Sequence, residues 1–190
     1  MSKSAPLRSG RLRLLVIIFA LAITLTGCAS EIAHFEDVHT RTLNFGDEIP
    51  EIQGNPILSI SGGALADSKQ PADIRMLESL GTIKYSVDDP YDNEIVEYEG
   101  VPLKTIFDQF GGPDSTNIII TATDDYQQII PRADADKWPI ILALKVNGAY
   151  APNDHRGPSM IIYPYDQFSE LEPTKYDQFW VWQIKTIEFS

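Results

Sequence analysis

The stretch ILALKVNGAYAPNDHRGPSMIIYP, Ile141 to Pro164, decides the architecture of this 190-residue chain. Together with Ile140 its first part is a largely apolar run of strand length, interrupted only by Lys145, that stops at Asn147-Gly148. Both central positions of a type I′ turn need positive φ, which Asn and Gly tolerate, so the pair predicts a hairpin. A polar loop follows, then a Gly-Pro turn, and then SMIIYP, which reads as a second strand. Two strands that bracket a loop carrying His155 and Arg156 describe a β scaffold presenting polar groups from a connection, where binding residues tend to sit.

Working outward, the same signals recur. NIIITAT (117–123), YQQII (126–130), TIKYSV (82–87), EIVEYEG (94–100) and ILSISG (57–62) read as strands, and WVWQIKTIEF (180–189) as the last one. Two short helices interrupt them. PADIRMLESLG spaces Ile74, Met76, Leu77 and Leu80 on one face and ends at Gly81. A second helix opens at Pro102, carries Leu103, Ile106, Phe107 and Phe110, and stops at Gly111-Gly112. Asp134, Asp136 and Trp138 fit a solvated helix or turn with its anchor. The class is therefore α+β, mostly β, with mixed or antiparallel sheet and short helices.

The N-terminal end has a different character. Lys3, Arg8, Arg11 and Arg13 precede an apolar run from Leu14 to Leu25, too short for the roughly 20 residues a membrane span needs, so residues 1–27 read as an export leader. Leu25-Thr26-Gly27-Cys28 resembles a bacterial lipobox, which implies lipidation at Cys28, the single cysteine of the chain. Lipid chains contribute about 0.8 kcal/mol per buried CH₂. The expectation is an extracytoplasmic lipoprotein on the periplasmic face of a membrane. Ala29 after the cysteine favours the outer membrane if the cell is Gram-negative. Residues 28–56 read as a tether and lead-in, and 57–190 as the folded domain.

The four basic residues leave with the leader, taking 15 cations to 11 against 27 anions, a charge of −16. Such a balance repels nucleic acid and anionic headgroups, so no nucleic-acid partner is expected. With no second cysteine, no disulfide is expected. Dinucleotide, P-loop, zinc-protease, serine-hydrolase and Cys-x-x-Cys motifs are missing from the sequence. DDPYDNE clusters hard oxygen ligands but lacks the calcium-loop glycine and glutamate, and reads as a solvated turn. His34 and His39, five apart with no third ligand nearby in sequence, read as surface histidines.

Five segments in order resemble the molybdopterin-binding domain of the sulfite oxidase fold: Glu99-Gly100-Val101-Pro102-Leu103, Asp124-Asp125-Tyr126, Asn147-Gly148, Gly157-Pro158 with Tyr163-Pro164, and Trp180-Val181-Trp182. The resemblance implies molybdenum held by a cysteine thiolate before the Gly-Val-Pro-Leu helix, yet TIKYSVDDPYDNE contains no cysteine. Stand-alone exported members are similar to periplasmic pterin-binding proteins that regulate membrane enzymes of cyclic di-GMP metabolism. That comparison implies a pterin-like ligand, with no obligatory cofactor and no metal, and a membrane signalling partner. The resemblance also implies a pocket where the Asp-Tyr loop, the Gly-Pro loop and the last strand converge. Its ligand-binding residues would be Asp124, Asp125, Tyr126, His155, Arg156, Tyr163 and Trp180. Asp124 or Asp125 either accepts from a 2-amino-4-oxo edge or fixes its own turn. Arg156 offers a planar donor fork, and the aromatics either stack on a heterocycle or fill core. Two other readings stay open: a molybdopterin-dependent oxidoreductase with a non-thiolate metal site, and an interaction module with a vestigial cleft.

Overall fold

The computed structural model describes residues 34–190; Cys28, the leader and the lipidation read there lie outside the described residues. Two sheets and four short α-helices make up the described part. The first sheet contains β1 (Glu36–His39), β4 (Thr82–Asp89), β5 (Glu94–Pro102), β8 (Ile141–Val146), β9 (Ala149–Tyr150) and β10 (Met160–Ile162). Its order is β1-β4-β5-β8-β10, and β9 pairs with β8. The second contains β2 (Leu58–Gly62), β3 (Lys69–Ala72), β6 (Asn117–Ala122), β7 (Gln127–Pro131) and β11 (Ile184–Phe189), in the order β3-β2-β11-β6-β7. The β2–β11 pair is parallel and its neighbours are antiparallel, so the sheet is mixed, as the sequence implies.

The register of β4 and β5 sets up the site. A strand sends alternate side chains to one face. Ile83, Tyr85, Val87 and Asp89 therefore share the inward face of β4, and all four are buried. Opposite them, Tyr98 pairs with Tyr85 and Val96 with Val87. The alternation carries Asp89 onto the core side; it is no part of a solvated turn.

Helix α1 (Ile74–Glu78) starts where Asp73 Oδ1 accepts from the Met76 amide at 2.8 Å, a cap that satisfies an otherwise orphaned N–H. Helix α2 (Leu103–Phe110) begins one residue after Pro102 and buries Leu103, Ile106, Phe107 and Phe110 against β2, β5 and α3 (Arg132–Lys137). Each such side chain is worth about 1.5–3 kcal/mol when removed from water. Helix α4 (Pro173–Tyr176) lies in the loop before β11. Asn147 and Gly148 adopt φ of 48° and 79°, the hairpin the sequence requires.

Three expectations change. The lead-in at 28–56 is not a free tether over its described part, because β1 pairs with β4 and Leu43 enters the core. The Thr42 and Leu43 amides also donate to Ser79 O at 2.8 and 2.9 Å. β3, an edge strand with Pro71 in its middle, has no counterpart in the sequence reading. The last strand starts at Ile184, not Trp180. Gln183 takes φ of 49° and breaks the extended run, leaving Trp180, Val181 and Trp182 in an irregular segment.

Candidate functional site

A cleft of about 270 Å³ opens where both sheets end. The β4–β5 turn supplies Tyr91, the β6–β7 turn supplies Asp124 and Tyr126, and the loop before β10 supplies His155. The segment before β11 closes it with Asp177, Gln178, Trp180, Trp182 and Gln183.

Asp89 organises the first wall. Its Oδ1 accepts from the Tyr91 and Asp92 amides at 2.8 and 3.2 Å, folding the turn back on itself. Its Oδ2 accepts from the Tyr98 hydroxyl at 2.6 Å and from Arg156 Nη1. Burial would push this carboxyl up, but hydrogen bonds from Tyr98, the Tyr91 amide, Arg156 and the Asp92 amide outweigh it and hold it below the usual carboxylate range. Arg156 Nη2 donates to Asp92 Oδ1 at 2.7 Å, so the guanidinium is shared between two aspartates. The same group sits against the aromatic wall, 4.5 Å from the Trp182 ring centroid and 5.6 Å from that of Tyr91.

The aromatics form one continuous set. Tyr91 meets Trp182 edge-on at 4.8 Å and Trp180 at 6.1 Å, and Trp180 stacks on Tyr165 at 5.3 Å with 7° between the planes. The Tyr91 hydroxyl donates to Asp177 O and the Tyr126 hydroxyl to Gln178 O, each at 3.0 Å, which fixes the 177–179 turn over the cleft. Burial, with Asp177, Tyr126 and Asp89 nearby, raises the Tyr91 phenol, so it stays a neutral donor. The indole Nε1 atoms of both Trp180 and Trp182 are buried without a hydrogen-bond partner. An orphaned buried donor costs about 1–3 kcal/mol, and such a group asks for an acceptor.

Gln183 ties the walls together. Its amide donates to Arg156 O at 3.0 Å, and its Nε2 to His155 O and Asn153 O at 2.8 and 3.3 Å. Thr123 Oγ1 donates to its Oε1 at 3.2 Å.

Of the residues expected in the pocket, Asp124, Tyr126, His155 and Trp180 line it. Asp124 also takes its local role, accepting from the Tyr126 amide at 3.0 Å. Asp125 does not line it: at φ of 70° its carboxylate turns to Lys185. Tyr163, one residue past the end of β10, is core, fully buried against Tyr165, Tyr176 and Phe179. Arg156 is at the site, but both ends of its fork are bound to aspartates. Only Nε lacks a partner, beside a smaller apolar recess of about 100 Å³ lined by Val146, Ala151 and Met160. Sequence reading missed Tyr91, Asp89, Tyr98 and Gln183. The alternating I-x-Y-x-V-x-D pattern of β4 was the signal available for Asp89.

The fold is of the sulfite oxidase type, mostly β with mixed sheet and short helices. Among solved structures it is similar to the sulfane dehydrogenase SoxCD from Paracoccus pantotrophus. The TM-score is 0.54 at 15% identity, over 74% of this chain and 40% of that one. The chain thus spans well under half of that protein's length. No family model matches the sequence, and no curated protein does.

This fold implies a molybdenum cofactor, and the donor set allows a test of fit. Molybdenum in such enzymes needs a soft thiolate. The segment from Thr82 to Glu94 offers only carboxylates, hydroxyls, one amide and a lysine, and its inward carboxylate, Asp89, is already satisfied by Tyr98, Arg156 and two amides. The residues present do not fit a thiolate-ligated metal.

Proposed function

We propose that this chain is a lipid-anchored extracytoplasmic binding protein for a planar, pterin-like heterocycle, acting on a membrane partner such as a cyclic-di-GMP enzyme. The observation that carries the reading is the aromatic-walled cleft, where Tyr91, Tyr126, Trp180 and Trp182 converge with Asp124 and Asp177. A fused bicyclic ring presents a flat face to one aromatic of this wall, where stacking contributes about 1–3 kcal/mol. Its amino edge suits Asp124 and Asp177, which line the same cleft.

Electrostatics favours a neutral ligand over a phosphorylated one. Asp124 and Asp177 line the cleft, and Arg156 is neutralised by Asp89 and Asp92. A phosphate tail entering here meets carboxylates and no free guanidinium. Regulation needs no electron transfer, which agrees with the missing thiolate.

Calorimetric titration of the full chain with reduced and oxidised pterins tests the reading. Saturable one-to-one binding is expected, weakened at least tenfold by Trp182→Ala. No heat and no thermal shift across the series overturns it. For the anchor, membrane fractionation should place the chain with lipid, and Cys28→Ser should release it.

A further inference from the structure

Away from the cleft, three elements bring metal-ligating atoms together. His39 closes β1, Glu78 closes α1 and Glu99 sits on β5, and their ligand atoms all lie within 4.8 Å of one another. His39 Nε2 is 3.5 Å from Glu99 Oε1 and 3.9 Å from Glu78 Oε1. Both separations exceed an ordinary N–H···O bond; bonds of about 2.0–2.2 Å in a tetrahedron place ligand atoms about 3.4 Å apart, so the Glu99 separation matches and Glu78 must close by about half an ångström.

A cation already marks the spot. Lys145 Nζ lies 2.8 Å from Glu99 Oε1 and 3.3 Å from Glu78 Oε1. Burial works against its charge, and the hydrogen bonds it donates to Glu99 and Glu78 more than offset that. The ammonium satisfies the two carboxylates and leaves the imidazole without a hydrogen bond. Around the carboxylates stands an orienting layer of the kind that metal ligands use. The Tyr150 hydroxyl donates to Glu78 Oε1 at 2.9 Å, and Thr82 Oγ1 to Glu99 Oε1 at 3.4 Å.

We propose that His39, Glu78 and Glu99 form a binding site for a first-row divalent cation of the zinc class, in competition with the Lys145 ammonium. Two carboxylates cannot neutralise both the ion and the ammonium, so the lysine swings out on its flexible stem. Imidazole with carboxylates selects zinc-like ions over calcium, which prefers six or more oxygens. Binding pins β1 to the domain, because His39 is its last residue and the other two ligands belong to α1 and β5. The two other ligands lie 39 and 60 positions from His39 in the chain, so sequence spacing alone does not bring them together.

The test is zinc titration of the full chain, followed by calorimetry and thermal melting. One zinc per chain and a raised melting temperature are expected. Affinity should fall at least tenfold in His39→Ala and rise at least threefold in Lys145→Met, where the competitor is gone. Absence of saturable binding by the native chain, undiminished binding by His39→Ala, or unchanged affinity in Lys145→Met overturns the proposal. His39 is half-exposed on an edge strand, so its removal leaves the fold intact.

Discussion

Asp89 and Arg156, 67 positions apart, meet as an ion pair in which the carboxylate is completely buried. One strand register delivers the acid and one loop the base. Removing a single partner leaves an uncompensated buried charge, which costs about 3–5 kcal/mol. Arg156→Met should therefore lower the unfolding free energy by about that amount in urea denaturation. Combining it with Asp89→Asn should restore part of the loss. A single variant as stable as the native chain would show that the pair contributes nothing.

Acid should destabilise the protein through the same carboxylate. Asp89 is held below the usual range, and so is Asp73, where burial is outweighed by amide bonds from Met76, Gly54 and Gln53. Between the folded pKa and the unfolded value of about 3.9, the unfolded chain binds more protons. Stability from these two groups is thus fully present above about pH 4 and is lost as pH falls through their folded pKa values. Melting temperatures across pH 2.5–6 should drop at the acid end. In Asp89→Asn the drop should be shallower, and a parallel curve would count against the assignment.

The fold was legible because its signals are local. Asn147-Gly148, the apolar runs of β6 and β8, and the Leu103–Phe110 face each report the backbone they adopt. The site was only half legible. Asp124, Tyr126, His155 and Trp180 sit on connections whose convergence a family resemblance supplied. Tyr163 packs in the core, and a core aromatic and a pocket aromatic look alike in sequence. Arg156 was found, but its partners were not, since a guanidinium's commitment to Asp89 and Asp92 depends on which turn packs against which loop. The kink at Gln183, which puts both tryptophans on one cleft, follows from a single positive φ that a glutamine does not advertise.

Gly100 should tolerate no side chain. A Cβ there would lie 2.1 Å from Leu142 O and 2.5 Å from Ala143 Cα, at the irregular register where β5 meets β8. The obstacle is backbone on a central strand, so nothing flexible can give way. Overpacking of this kind costs about 1–3 kcal/mol or more. Gly100→Ala should lower the unfolding free energy by at least that much, read as a lower denaturation midpoint. A neutral result would mean the two strands separate more easily than their pairing implies.

Gln183 combines two separable contributions, a strained backbone and a set of side-chain hydrogen bonds. Left-handed φ costs an L-residue about 1 kcal/mol or more, and glycine escapes that cost. Both Gln183→Ala and Gln183→Gly lose the bonds to His155 O, Asn153 O and Thr123, which hold the 153–157 loop to the end of β6. The glycine variant should therefore unfold at a free energy about 1 kcal/mol above the alanine variant. Both should be cleaved faster than the native chain in the 151–157 loop under limited proteolysis, because the released loop opens without global unfolding. Equal stability of the two variants would remove the strain from this account. Unchanged cleavage would mean that the Gly157-Pro158 turn holds the loop unaided.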